Sequence, residues 1–168
     1  MGVSEKRWYA LYTKSRHEEV VNKHLLYKSF LVLLPKRKVW SRRRDRRKII
    51  EVPVFPGYVF VETFPKPELF NKILDTPGVV YILGKPRPEP IPKEDIESIR
   101  IMMKAKVDLE PYPYLKEGDR IRVCSGPLKG AVGWMVREDK KKNLLVVSLD
   151  LLHQSVSALL PPCQIEKF

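Results

Sequence analysis

VFPGYVFV, residues 54–61, packs three aromatic rings, three valines, a proline and a glycine into a 168-residue chain whose formal net charge is +12. Strict alternation sends Val54, Pro56, Tyr58 and Phe60 to one face of a strand, and Phe55, Val59 and Val61 to the other. A strand that is apolar on both sides needs two covers. The chain's own helices can supply one; the second comes from the chain or from a partner.

Upstream of this strand lies KRKVWSRRRDRRK (36–48), which holds nine Lys+Arg and one Asp. FLVLLPKRKVW before its tip and KIIEVPVFPGYVFVE after it both read as strands, so the pair predicts a hairpin with an arginine-rich tip. Such charge density attracts phosphates and loses affinity steeply with salt. Arg42, Arg43, Arg44, Arg46 and Arg47 are candidate nucleic-acid contacts, to the backbone in preference to base edges.

Farther out, RWYALYT (7–13) predicts an opening strand. Ser15 and Glu18 have capping-box spacing ahead of a helix through EEVVNKHLLYKSF. Val21, Leu25 and Lys28 mark one side of that helix, and His17, Val20 and His24 a less apolar one. PKPELFNKIL (65–74) suits a short helix, VVYILG (79–84) a brief strand, and KEDIESIRIMMKA a helix with Ile96, Ile99 and Met103 along one face. This alternation predicts an α/β sandwich over residues 1–105. VDLEPYPYLK lacks periodicity and marks a linker at 106–115. Residues 116–168 form short β-rich runs split by turns, as in a small barrel, with glycines at 126, 130 and 133 where such a barrel bends.

Charge follows the same division. Residues 1–105 carry 22 Lys+Arg against 12 Asp+Glu, a net of +10, and residues 106–168 carry 10 against 8, a net of +2. A polyanion is therefore the expected partner of the first part. No run approaches the roughly 18 apolar residues of a membrane span. Two cysteines far apart, Cys124 and Cys163, fit free thiols in a reducing cytoplasm. The histidines have no metal-ligand spacing, and no nucleotide-loop or nucleophile motif is present, so a non-enzymatic, cofactor-free binding protein is expected.

Trp8-Tyr9, FPGYVFV (55–61), TPGVV (76–80) and Pro90-Ile91-Pro92 occur in the order seen in one family. They are followed by Gly118-Asp119, Ile121, Val123, Gly126-Pro127 and Gly130, which resemble a KOW motif. With them the chain resembles the NusG family of transcription elongation factors from Trp8 to Phe168. The resemblance implies an α/β N-terminal domain, an antiparallel sheet flanked by helices, tethered to a small all-β KOW barrel. It implies that the N-terminal domain binds the clamp helices of RNA polymerase and suppresses pausing, while the KOW domain recruits Rho or a ribosomal protein. By position, Tyr12, Phe55, Tyr58, Phe60 and Ile99 would form the clamp-binding depression.

WYALYTKSRHE (8–18) is more similar to the specialised RfaH-like and UpxY-like antiterminators than to the general factor. Lys14, His24 and Thr76 align with positions where RfaH-like proteins touch non-template DNA, and Arg16 belongs to the same polar surface. Ser15 and Val20 stand where RfaH is basic, and Phe70-Asn71-Lys72-Ile73 replaces its His-Thr-Thr stretch, so the UpxY-like reading fits more freely. Nascent RNA is the other expected polyanion, and a monomer is expected. A ribosome-associated RNA-binding protein working through its KOW barrel is the alternative, and the barrel's low net charge weighs against it. SLDLLHQSVSALL (148–160) has a spacing that also permits a helix, but Val146, Val147, Val156 and the glycines favour strands.

Overall fold

The computed structural model describes residues 4–168 except 44, 46, 85, 140 and 141. Along the chain run β1 (Arg7–Thr13), α1 (Glu18–Tyr27), β2 (Leu31–Leu33), β3 (Lys36–Trp40), β4 (Ile49–Pro53), β5 (Tyr58–Thr63), α2 (Pro67–Leu74) and β6 (Val79–Ile82). Then come α3 (Lys93–Lys104), β7 (Glu110–Tyr112), β8 (Asp119–Val123), β9 (Val132–Asp139), β10 (Lys142–Leu149), β11 (Gln154–Leu160) and β12 (Ile165–Lys167). They fall into two compact units, Met1–Leu34 with Phe55–Lys93 and Pro35–Val54 with Glu94–Phe168.

The first unit is built on an antiparallel sheet in the order β2-β5-β1-β6. Its register sets Tyr9 opposite Val61 and Leu11 opposite Val59. These four side chains share one face of the sheet. Val21 and Leu25, one helical turn apart on α1, and Ile73 of α2 close over them as a buried core. Each such side chain contributes roughly 1.5–3 kcal/mol by leaving water. Trp8, Ala10 and Phe60 project from the opposite face and are also buried.

The capping box predicted at Ser15 does not form. Arg16 takes a left-handed backbone (φ 61°), and His17 becomes the N-cap without a side-chain bond. Glu18 turns away from its own helix: its Oε1 accepts the Gly57 amide at 2.8 Å. A bond between elements has displaced the local one. The other end of α1 closes with Ser29 N–H donating to Leu26 O at 3.0 Å and Phe30 N–H to Leu25 O at 3.0 Å, with Ser29 at φ 69°. That is a Schellman ending with serine in the position usually held by glycine.

Each long run read as one strand is two strands. Leu34-Pro35 separates β2, which pairs with β5, from β3, which pairs with β4. Residues 54–57 leave the extended path, with Gly57 at φ 88° and Tyr58 N–H donating to Phe55 O at 3.1 Å. The bend that Pro56-Gly57 required is present. β3 and β4 form the expected hairpin, from the Lys36–Pro53 pair to Trp40–Ile49.

The second unit holds a six-stranded antiparallel sheet in the order β12-β8-β9-β10-β11-β7. SLDLLHQSVSALL is strand, turn and strand, with Val147 opposite Val156. The segment read as a linker, 106–115, contains β7, which adds to the edge of β11. From Glu94 on, α3 groups with this sheet, although the sequence placed its helix in the N-terminal domain. Ser98 Oγ accepts the Val132 amide at 2.8 Å and donates to Glu94 O at 2.7 Å. This bond turns the helix so that Ile96, Ile99 and Met102 are buried while Met103, the expected third member, is half-buried.

Asp95, in the first turn of α3, lies 4.0 Å from Arg120. Burial pushes its carboxyl up to about 6; Arg120 opposes this, and Glu94 and Asp150 add to it. A carboxyl that protonates more easily folded than unfolded favours the folded state at low pH. This stability is lost as pH rises from about 4 to 6. Asp95→Asn is therefore expected to remove that slope and to raise the unfolding midpoint at neutral pH, by roughly 1–3 kcal/mol equivalent. Thermal melts across pH 4–8 check it; an unchanged slope would show that Asp95 titrates normally.

Candidate functional site

Gly57 places the start of β5, and with it the accessible aromatic surface of the first unit. Tyr12 of β1 lies opposite Tyr58 of β5 and opposite Tyr81 of β6. All three project from the sheet face opposite the α1 and α2 core. The Tyr12 and Tyr58 rings meet at an angle of 60° with centroids 5.6 Å apart, and Tyr12 stacks on Tyr81 at 5.1 Å and 26°. A Cβ on residue 57 would meet Tyr12 Cε2 at 3.5 Å, an ordinary contact, so it is the left-handed backbone at φ 88° that calls for glycine here. Burial, and after it the phenols of Tyr81 and Tyr12, holds the Tyr58 hydroxyl above the ordinary phenol range. The cluster is aromatic and carries three hydroxyls. Tyr12 is 37% exposed and Tyr81 48% exposed.

Phe55, Phe60 and Ile99, also expected in this depression, are buried. Phe55 and Phe60 meet edge to face at 5.7 Å and are buried, at 1% and 0% exposure. They support the bend from within. Ile99 is on the buried face of α3, in the second compact unit. Tyr81 was missed because cross-strand register, which joins it to Tyr12, is not written in a single segment.

Glu18 ties α1 to this turn. Replacing Glu18 by Ala leaves the Gly57 amide without its acceptor, an expected loss of about 1–3 kcal/mol. Glu18→Gln, whose amide oxygen still accepts, should keep most of it. Hydrogen exchange at Gly57 is the measurement: equal protection in wild type and Glu18→Ala would show the bond to be dispensable.

Of the first helix's polar candidates, Lys14, Arg16 and His24 are all exposed. Lys14 N–H donates to Gly78 O at 2.8 Å, which joins the β1 exit to the TPG loop. Thr76 is buried, and its hydroxyl is used internally. It accepts Lys28 Nζ at 3.0 Å and donates to Lys72 O at 3.2 Å. It closes the end of α2 and offers no free hydroxyl to a ligand.

Arg42, Arg43 and Arg47 are exposed at the hairpin tip; Arg44 and Arg46 lie outside the described residues. Ser41 N–H donates to Lys48 O at 2.7 Å, extending the hairpin one step beyond Trp40. In the second unit Gly118, Gly126 and Gly130 are exposed with left-handed backbone, and Val123 is buried beneath the loop between β8 and β9. Gly130 N–H donates to Val123 O at 2.8 Å, so the two ends of that loop are tied. Among the described residues, no three His, Cys, Asp or Glu side chains group at metal-binding distance, and no helix is long and apolar enough to cross a membrane.

Comparison with known proteins supplies the remaining evidence. The family described as Transcription termination factor nusG matches residues 6–100. The Transcription termination/antitermination protein NusG of Staphylococcus aureus strain Mu50 is 29% identical over 181 residues, covering 98% of this chain and 97% of that protein. The same values hold for the protein of that name in strain N315. A solved structure described as Domain interaction in Thermotoga maritima NusG covers 97% of each chain with a TM-score of 0.55 and 21% identity, a likeness of fold. With more than half of its length matched by the family and the sheet, turn and glycine loop in place, the chain belongs to the NusG family of transcription termination and antitermination factors.

Proposed function

We propose that this protein is an elongation and antitermination factor that binds the clamp helices of RNA polymerase through its N-terminal domain, residues 1–105, and suppresses pausing. The observation that carries this reading is the Tyr12–Tyr58–Tyr81 cluster. It is a contiguous, partly exposed aromatic surface held by three strands and the turn that Glu18 ties down. Aromatic anchors with polar tips are what the centre of a protein interface uses. Lys14 and Arg16, in the turn that follows β1, and His24, in the last turn of α1, are exposed polar side chains suited to non-template DNA or nascent RNA. The KOW segment, residues 116–168, recruits a further factor, Rho or a ribosomal protein. WYALYTKSRHE supports a specialised paralogue of the UpxY-like kind.

The test is capture of purified RNA polymerase by the immobilised full chain, followed by transcription through a pause site. The reading expects stable capture and shortened pauses. Sedimentation with ribosomes and no capture of polymerase would overturn it in favour of a ribosomal role.

A further inference from the structure

Trp40 closes the outer end of β3 and is 65% exposed. Its cross-strand partner Ile49 is 55% exposed, so the neighbouring strand does not cover the indole. Alternation puts Lys38, also exposed, on the same face as Trp40. Trp40, Ser41, Arg42, Arg43 and Arg47 enclose a concavity of about 400 Å³. Among the described residues its three arginines have no carboxylate partner. The tip is ordered next to Trp40: besides the Ser41–Lys48 backbone bond, Arg43 N–H donates to Ser41 Oγ at 3.3 Å.

A site that only neutralised phosphates would have no use for a bare indole. Leaving a tryptophan in water forgoes much of the largest apolar burial available to a side chain. A duplex hides its base faces in the stack and shows a protein only edges and backbone. An unpaired base exposes its face, and a positive groove beside an aromatic platform is the arrangement that holds such strands. The geometry points to Trp40 as a stacking platform for an unpaired base, with Arg42, Arg43 and Arg47 on the flanking phosphates. The hairpin thereby selects single-stranded nucleic acid over duplex. This rests on reading the hairpin as a nucleic-acid surface. An anionic membrane would also attract the arginines, but a single indole set in a polar-rimmed concavity lacks the apolar face that insertion needs.

The experiment measures binding of the full chain to a labelled oligothymidylate of about 20 nucleotides and to a duplex of equal length, over a salt series. Trp40→Ala should weaken single-strand binding about 5- to 100-fold. It should leave duplex binding within about twofold and the salt slope unmoved, and Trp40→Phe should retain most of the affinity. Arg42→Ser, Arg43→Ser and Arg47→Ser together should flatten the salt slope for both ligands. If Trp40→Ala leaves single-strand binding unchanged, or lowers both ligands equally, stacking is wrong while the basic surface stands. If wild type binds neither oligonucleotide, or the triple variant leaves the slope intact, the nucleic-acid reading of the hairpin fails and stacking with it. Phosphatidylglycerol vesicles that displace the oligonucleotide and bury Trp40, read by its fluorescence, would overturn the proposal in favour of a membrane surface.

Discussion

Replacing Tyr12 and Tyr81 together by alanine is expected to weaken capture of RNA polymerase about a hundredfold while leaving the protein folded, with a smaller fall in unfolding midpoint than truncation of a buried phenylalanine. Truncating an interface aromatic at a hot spot costs about 2 kcal/mol or more, and two coupled rings do not add fully. The pair is the informative choice because both rings are partly exposed, at 37% and 48%, so less folded-state burial is lost with them than with Phe55 or Phe60. Phe55 and Phe60 would be misleading targets. Each is almost wholly buried, and Phe→Ala there costs about 3–5 kcal/mol of stability, enough to abolish binding by unfolding. Tyr58→Ala lies between these cases, since Tyr58 follows the turn that Glu18 holds. The measurement is polymerase affinity beside a thermal melt. Undiminished affinity of the folded Tyr12→Ala/Tyr81→Ala protein would remove the clamp assignment.

Gly133→Ala is expected to destabilise the C-terminal sheet by about 3 kcal/mol, a fall in midpoint of order 10 °C. The position needs no unusual φ; what it lacks is space. A Cβ there would sit 2.6 Å from Val146 O and 3.0 Å from Leu145 Cδ1. Residue 133 pairs with Ile121 in β8, and its neighbour Trp134 pairs with Val146 in β10, so β9 is held on both sides. The atom it would meet first is backbone, so relief means parting two ladders. Gly130→Ala meets Ile101 Cδ1 at 3.3 Å and puts a side chain on a backbone at φ 93°, a strain of about 1–2 kcal/mol confined to a loop, so it should cost less. Melts of the two variants check the order. If Gly130→Ala proved the more damaging, close backbone approach would not be the reason for glycine at 133.

Hydrophobic periodicity located β1, α1, α2, β6 and the β3–β4 hairpin, because each is a local pattern with a local period. It failed where a partner from another segment outbid a local preference. Ser15 and Glu18 have the spacing of a capping box, yet Glu18 bonds Gly57, 39 residues away. Glu110–Tyr112, rich in turn signals, became a strand because β11 offered it an unpaired edge. Met103 fits the stripe of α3 on paper, but the Ser98–Val132 bond rotates Met102 inward instead.

The candidate site divides in the same way. FPGYVFV carried the family resemblance, and with it the prediction that Pro56-Gly57 bends the chain. Composition alone placed the positive charge on the first two-thirds. Which aromatics face out was a tertiary matter. Tyr58 and Phe60 lie two apart on one strand face with similar apolar character, yet one joins an accessible cluster and the other is sealed at 0% exposure. Tyr81 became part of the site only through its pairing with Tyr12, and Thr76 left it when its hydroxyl was claimed by Lys28 and Lys72. The order of residues determined most of the elements, the bend and the sign of the charge, since those depend on local pattern and composition. Exposure and partnership belong to surfaces that exist only after distant strands have met, and the fold alone decided them.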